Sequence, residues 1–171
     1  YIILRDICNC VSQIQFTLSM IKRPDYQPLS TPIPLSMQHW PKDVRPMVTT
    51  HTSTYMHEAY IRQCIEGILK QETTFPVQVL IHDDASTDQT TEILRAYEKK
   101  YPGLIRVYYQ KKNTYRSPNR VQLRSEYYSW FKGQYVAHCE GDDYWTDPQK
   151  LEKQVKFLEQ NSDYTFTFHN A

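Results

Sequence analysis

Two short acidic runs carry the residues best suited to chemistry: Asp83-Asp84-Ala85-Ser86-Thr87-Asp88 and Glu140-Gly141-Asp142-Asp143-Tyr144-Trp145. Carboxylates this close repel one another, and a cation, a hydrogen-bond donor or water must compensate them. Hard oxygen donors suit magnesium or manganese, which take one or two protein carboxylates and fill their remaining positions with water and phosphate oxygens. The pattern therefore points to a metal and diphosphate site. Aspartate and serine are also preferred at helix starts. That reading fits Asp88, whereas the pair Asp142-Asp143, set between Gly141 and two aromatics, favours ligand binding.

Both runs must be positioned by strands. Val77, Val79, Leu80 and Ile81 form a short, mostly β-branched stretch, as in a buried parallel strand, and it leads directly into the first acidic run. A strand over 134–139 leads into the second. Helices are expected over 58–71, where Ile61, Cys64, Ile65, Ile68 and Leu69 share one face, over 88–100, and between Asn119 and Gly133. Asp147-Pro148 supplies a cap and a first helical residue for a further helix carrying Leu151, Val155 and Leu158. Strands are expected over 48–53, 104–109 and 164–168, the last half-buried by its alternation. Alternating strands and helices imply an α/β fold with a mostly parallel central sheet and helices on both faces. In such sheets ligands bind beyond the carboxyl ends of the strands, where both acidic turns lie.

The rest of the chain bounds the reading. Its 171 residues suffice for one domain, and 20 basic against 19 acidic residues leave no footprint for nucleic acid. No apolar run is long enough to span a bilayer. Cys8-x-Cys10 has no matching second pair, so the four cysteines read as reduced thiols of a cytoplasmic protein rather than a zinc site. Peripheral contact with the inner face of the membrane stays open. Residues 1–47, rich in proline from Pro24 to Pro46, read as an extension or linker. The chain looks like a fragment, truncated at its C-terminus.

Four blocks in order carry a family resemblance: Thr54-Tyr55-x-x-Glu58-x-Tyr60-Ile61-Arg62-x-Cys64-Ile65-x-x-Ile68-Leu69-x-Gln71; Asp83-Asp84-x-Ser86-Thr87-Asp88; Gly133-x-Tyr135-Val136; and Glu140 to Trp145 with Lys150-Leu151 and Gln154 beyond. Residues 48–171 thereby resemble the N-terminal GT-A domain, Rossmann-like in build, of inverting family 2 glycosyltransferases, bacterial enzymes that use nucleotide sugars. The resemblance implies that Ser53, Thr54 and Tyr55 embrace the nucleobase, that Asp84 accepts a hydrogen bond from it, and that Asp142 and Asp143 hold ribose and a divalent cation, Mn2+ or Mg2+. Arg124 loosely matches a position near the nucleotide; a solvated helix face is the alternative.

Departures accompany the matches. The strand Val48-Thr49-Thr50-His51-Thr52-Ser53 is more polar than a buried parallel strand, Met56 stands where the family usually has asparagine, and no glycine follows Asn113. Glu140 replaces the first aspartate of the metal motif and is given no ligand role. The implied reaction is a single inverting displacement of a nucleoside diphosphate, from a UDP-sugar, by a hydroxyl of a saccharide or lipid-linked acceptor. The family's catalytic base would lie beyond Ala171. Two other classes fit less well: a nucleotidyltransferase, which would usually carry a glycine-rich basic loop where this chain has 4 glycines in all, and a non-catalytic carbohydrate- or partner-binding module using the 14 tyrosines.

Overall fold

The structure is a computed structural model and describes residues 2–5 and 26–168. Its centre is a six-stranded sheet. Strands β1 (Ile2–Arg5), β3 (Val48–Thr54), β5 (Val77–Asp83), β6 (Ile105–Tyr109), β7 (Tyr135–His138) and β8 (Phe166–Phe168) lie in the order β6-β5-β3-β7-β1-β8. The four strands β6, β5, β3 and β7 are parallel, and β1 pairs antiparallel with both β7 and β8. A two-stranded ribbon, β2 (Ile33–Pro34) with β4 (Glu72–Thr73), stands apart from it.

Three amphipathic helices supply the main core on one face of the sheet. Helix α1 (Ile61–Leu69) buries Ile61, Cys64, Ile65, Ile68 and Leu69, the stripe legible in the sequence; α2 (Thr90–Lys100) buries Ile93 and Leu94; α5 (Lys150–Gln160) buries Leu151, Val155 and Leu158. They meet Val48, Val79, Ile81, Ile105, Val107, Tyr135 and Ala137 from the strands. Residues 26–47, read above as extension or linker, pack on this body: Leu35, in a short 3-10 helix, belongs to the core, and Tyr26 and Met47 lie against it. The Cys8-x-Cys10 pair and the stretch from residue 6 to 25 lie outside the described residues.

The polar strand β3 is the central one. Thr49, Thr50 and Thr52 are fully buried, because threonine has the β-branched shape of valine and fills a flat site between two strands. Thr49 Oγ1 donates to Gln78 Oε1 at 2.9 Å and accepts Gly133 N–H at 2.9 Å. The expected single helix before Gly133 is two separate turns, α3 (Arg120–Leu123) and α4 (Ser125–Tyr128). The break falls at Arg124, whose φ of −102° and ψ of 4° leave the helical well while its guanidinium turns inward. Strand β8 also differs from expectation. Its phenylalanines face outward, Phe168 at 69% exposure, so alternation there marks an edge strand with an uncovered apolar face.

The second face of the sheet is unusual. Register places His51 opposite His138, and His82 opposite Ser53, so three imidazoles share one side of three neighbouring strands. An aromatic lid from α4 and the following loop covers them: His51 lies 5.4 Å from both Tyr127 and Phe131, and its Nδ1 is 2.7 Å from the Tyr127 hydroxyl. His82 stacks on Tyr108 at 5.8 Å, and neither of its ring nitrogens has a hydrogen-bond partner among the described residues. Burial, with the neighbouring charges of His138, His82 and Arg124, lowers the His51 pKa from 6.5 to about 3. Burial and Arg124 lower that of His82 to about 4, against the opposing pull of Asp84 and Asp83.

Below pH 6.5 these two histidines gain protons in the unfolded chain but not in the folded one. Stability is therefore complete above that pH and falls as the medium is acidified toward pH 4, by on the order of 1.4 kcal/mol per pH unit for each histidine. Urea midpoints across this range should show the slope, and His82→Leu should reduce it. A midpoint independent of pH over this window would contradict the assignment.

Candidate functional site

Three loops converge at the carboxyl ends of β3, β5 and β7. The main chain fixes their approach: Asp84 N–H donates to Thr54 O and Gly141 N–H to Ser53 O, both at 2.9 Å. Each acidic turn is thus hydrogen-bonded to the end of the central strand, and Ser53, Thr54 and Tyr55 lie between them. Gly141 makes this approach possible, since a Cβ there would lie 2.8 Å from His57 Nδ1 and from Thr54 Cβ. The β3 and β5 loops are also laced together. Met56 N–H donates to Ser86 Oγ, Glu58 N–H to Asp88 Oδ2, and Gln89 N–H to Glu58 Oε2.

Two non-glycine residues on this rim have left-handed backbones, Met56 with φ 57° and Ala85 with φ 66°. Asparagine tolerates that region far better than most side chains, which gives a physical reason for asparagine being usual at the position of Met56. Methionine is held there through its sulfur: Thr87 N–H and Oγ1–H approach Sδ at 3.4 and 3.3 Å. Strained backbone of this kind persists where surrounding contacts over-determine it.

The carboxylates divide into those already used by the protein and those left available. Asp83 Oδ1 accepts Ser86 N–H and Oγ–H, and its Oδ2 accepts Thr91 Oγ1–H. Asp88 Oδ1 accepts Thr90 N–H at 3.0 Å, in keeping with its reading as a helix-start residue. Asp84, only 4% exposed, is the hub of a closed network: Oδ1 accepts Thr114 N–H at 2.9 Å and Oγ1–H at 2.8 Å, Oδ2 accepts Arg124 Nη2–H at 2.9 Å, and Arg124 Nε donates to Thr114 Oγ1 at 2.9 Å. Arg124 is buried, so the solvated-face alternative does not hold. Glu140 is paired with His138 Nε2 at 2.6 Å, and that hydrogen bond, against the opposing effect of burial, holds its carboxyl below the usual range.

Asp142 and Asp143 behave differently. Among the described residues neither carboxylate accepts a hydrogen bond; the imidazole of His57 comes nearest, its Nε2 lying 4.0 Å from Asp142 Oδ2, and the Asp142 side chain is 53% exposed. No group of three or more His, Cys, Asp or Glu side chains among the described residues could by itself enclose a metal ion. Two uncommitted oxygen donors on an open rim still match magnesium or manganese, which complete their shells with water and phosphate.

His57 and Thr114 were missed by sequence reasoning, and Asn113 entered it only as the residue that no glycine follows. Asn113 Nδ2 donates to Asp84 O at 3.1 Å and Thr114 lies 30 residues from Asp84 in the chain. A polar loop with no periodicity offers no signal for such partners. Behind the acidic turn, burial lowers the Lys150 pKa to about 8, and its ammonium sits 4.3 Å from the centre of the Trp145 ring. The Cys139 thiol is pushed far above its ordinary range, chiefly by its hydrogen bond with Cys64 and then by burial.

A mostly parallel sheet with helices on both faces and acidic turns at its strand ends defines a GT-A-type α/β domain. The chain belongs to glycosyl transferase family 2, whose model matches residues 49–169. An uncharacterized protein of Mycobacterium tuberculosis is 45% identical over 116 residues, 68% of this chain and 32% of its own length. A Bacillus subtilis protein named as a teichuronic acid biosynthesis glycosyltransferase, TuaG, is 33% identical over 132 residues, 77% of this chain and 48% of its own. The chain therefore spans a third to a half of these curated relatives. Among solved structures, S. aureus TarS residues 1–349 in complex with UDP superposes with a TM-score of 0.55 at 25% identity, covering 67% of this chain and 32% of that one. The mannosyltransferase PcManGT of Pyrobaculum calidifontis shares the fold, with a TM-score of 0.55 over 81% of this chain and 36% of its own at 22% identity. No described helix is long and apolar enough to cross a membrane.

Proposed function

We propose that residues 48–171 form the donor-binding domain of an inverting glycosyltransferase that takes a UDP-sugar with Mn2+ or Mg2+ and transfers the sugar to a saccharide or lipid-linked acceptor in polysaccharide assembly. The observation that carries the reading is the contrast among the carboxylates: Asp83, Asp84, Asp88 and Glu140 are engaged by the protein, whereas Asp142 and Asp143 are not. TarS, also solved in complex with UDP-GlcNAc, supports the choice of donor class.

In this reading Ser53, Thr54 and Tyr55 line the nucleobase, the half-exposed Tyr55 ring offering a stacking face, and Asp84 accepts from the base with Arg124 fixing its orientation. Asp142 reaches the ribose and, with Asp143, the cation. When bound, the cation supplies Lewis acidity toward the leaving diphosphate. The displacement also needs a base that accepts the acceptor hydroxyl's proton.

Calorimetric titration with UDP, GDP and ADP, each with manganese and with excess chelator, tests both parts. UDP should bind preferentially and only with metal. Unchanged affinity after chelation would remove the metal from the reading, and equal affinity for the three nucleotides would remove base recognition by Asp84.

A further inference from the structure

We propose that Cys64 and Cys139 form an oxidation site, a dithiol that closes to an intramolecular disulfide and thereby displaces the acidic turn. The two residues are 75 positions apart, one in the middle of α1 and the other immediately after β7, and their sulfurs lie 3.8 Å from each other, both fully buried. Each thiol also points at the turn: Cys64 Sγ approaches Glu140 O at 3.4 Å and Cys139 Sγ approaches Asp143 O at 3.8 Å. The pair therefore sits beneath both ends of Glu140-Gly141-Asp142-Asp143.

A disulfide needs the sulfurs about 2.0 Å apart, so closure must draw them well inside their present 3.8 Å, and α1 and the end of β7 must take up whatever side-chain rotation does not. It also removes both S–H groups, leaving the carbonyls of Glu140 and Asp143 without those donors. There is little slack to absorb the change. On one side Gly141 N–H is tied to Ser53 O, and on the other Gly67 of α1 lies so close to Trp145 that an added Cβ would be 2.9 Å from its carbonyl oxygen. Movement of α1 is consequently passed to the loop holding Asp142 and Asp143.

The oxidant in this proposal is hydrogen peroxide; because both sulfurs are fully buried and the Cys139 thiol is held in its protonated form, oxidation requires local opening that lets peroxide and water reach the pair. One sulfur attacks the peroxide, the O–O bond breaks, and water leaves a sulfenic acid. The second sulfur then attacks the first, forming S–S and breaking S–O, and a second water departs. Two thiols lose two hydrogens, and one hydrogen peroxide is reduced to two waters.

The test treats the full protein, with Cys8 and Cys10 changed to serine, with hydrogen peroxide and then with a dithiol reductant. Peptide mapping should recover a Cys64–Cys139 link that the reductant reverses. Amide exchange of residues 140–143 should rise on oxidation, a readout that needs no ligand. Affinity for manganese with UDP should fall about 10- to 100-fold, as when supporting contacts around a metal site are lost, and Cys64→Ala and Cys139→Ala should each abolish the sensitivity. Absence of the link in folded, peroxide-treated protein overturns the site. A link that leaves amide exchange in the turn unchanged overturns the coupling. The affinity arm alone rests on the proposed nucleotide site, and a reduced protein that fails to bind UDP would count against that site while mapping and exchange still decide the disulfide.

Discussion

Arg124→Ala should destabilise the domain by about 3–5 kcal/mol, the usual result of stripping the partner from a buried charge. The Asp84 carboxylate is almost wholly enclosed and cannot recover the lost interaction from water. Arg124 also donates to Thr114 Oγ1, the same oxygen that donates to Asp84, so its removal opens both sides of the ring. Against a typical total of 5–15 kcal/mol, much of the folded population is at stake. Urea unfolding of wild type, Arg124→Ala, Asp84→Asn and the double variant Asp84→Asn/Arg124→Met separates pair from fold. The double variant should be closer to wild type than Arg124→Ala is, because it leaves no unpaired charge. Additive losses would show that the two residues act independently and that the closed network has no energetic reality.

The same network sharpens the base-recognition reading. Asp84→Ala should weaken UDP binding by about 1–3 kcal/mol, the cost of a hydrogen bond to a charged group, but it also leaves Arg124 without its partner. Asp84→Asn keeps the shape of the side chain and reverses only part of its hydrogen-bonding character, so it is the cleaner probe. A folded Asp84→Asn protein that binds UDP as wild type would restrict Asp84 to holding the Asn113–Thr114 loop.

The elements that carry an apolar stripe were legible in the sequence because one local rule decides them. Helix α1 buries the five residues its spacing picks out, and both acidic turns lie at strand ends as expected. What escaped was decided at long range. Strand β3 looks too polar to be central because side-chain polarity is a poor guide where threonine can take valine's place and where Thr49 finds Gln78 across the strand. The helix expected before Gly133 breaks because Arg124 is drawn toward Asp84, forty residues away in the chain, at the expense of its own helical backbone. The layer of His51, His82 and His138 depends on β3 lying between β5 and β7, an order that no local pattern contains. For the site, residue types at the rim could be named from the sequence, but which carboxylates the protein consumes could not. Asp83 and Asp84 are neighbours in the chain, yet Asp83 is held by its own loop and Asp84 by a remote one.

That distinction leads to the expectation for Asp143. It accepts no hydrogen bond among the described residues, and it lies in a turn whose other charged side chains are Asp142 and Glu140. Crowding of like charge disfavours the empty site and is relieved when a cation arrives. Asp143→Asn should therefore leave the ligand-free domain as stable as wild type or slightly more so. The same change should abolish the stabilisation that manganese with UDP confers on wild type through linkage, about 2.7 kcal/mol at a ligand concentration of 100 times Kd. Had Asp143 been a capping residue, the opposite pattern would follow, a lower melting temperature without ligand and an unchanged shift with it. The turn's one cap-like bond, from Asp143 N–H to Glu140 O at 3.1 Å, uses the main chain and survives the substitution. Melting curves of both proteins, each with and without manganese and UDP, distinguish the two. A ligand-induced shift of equal size in Asp143→Asn and wild type would exclude Asp143 as a metal ligand, leaving Asp142 to hold the ion alone.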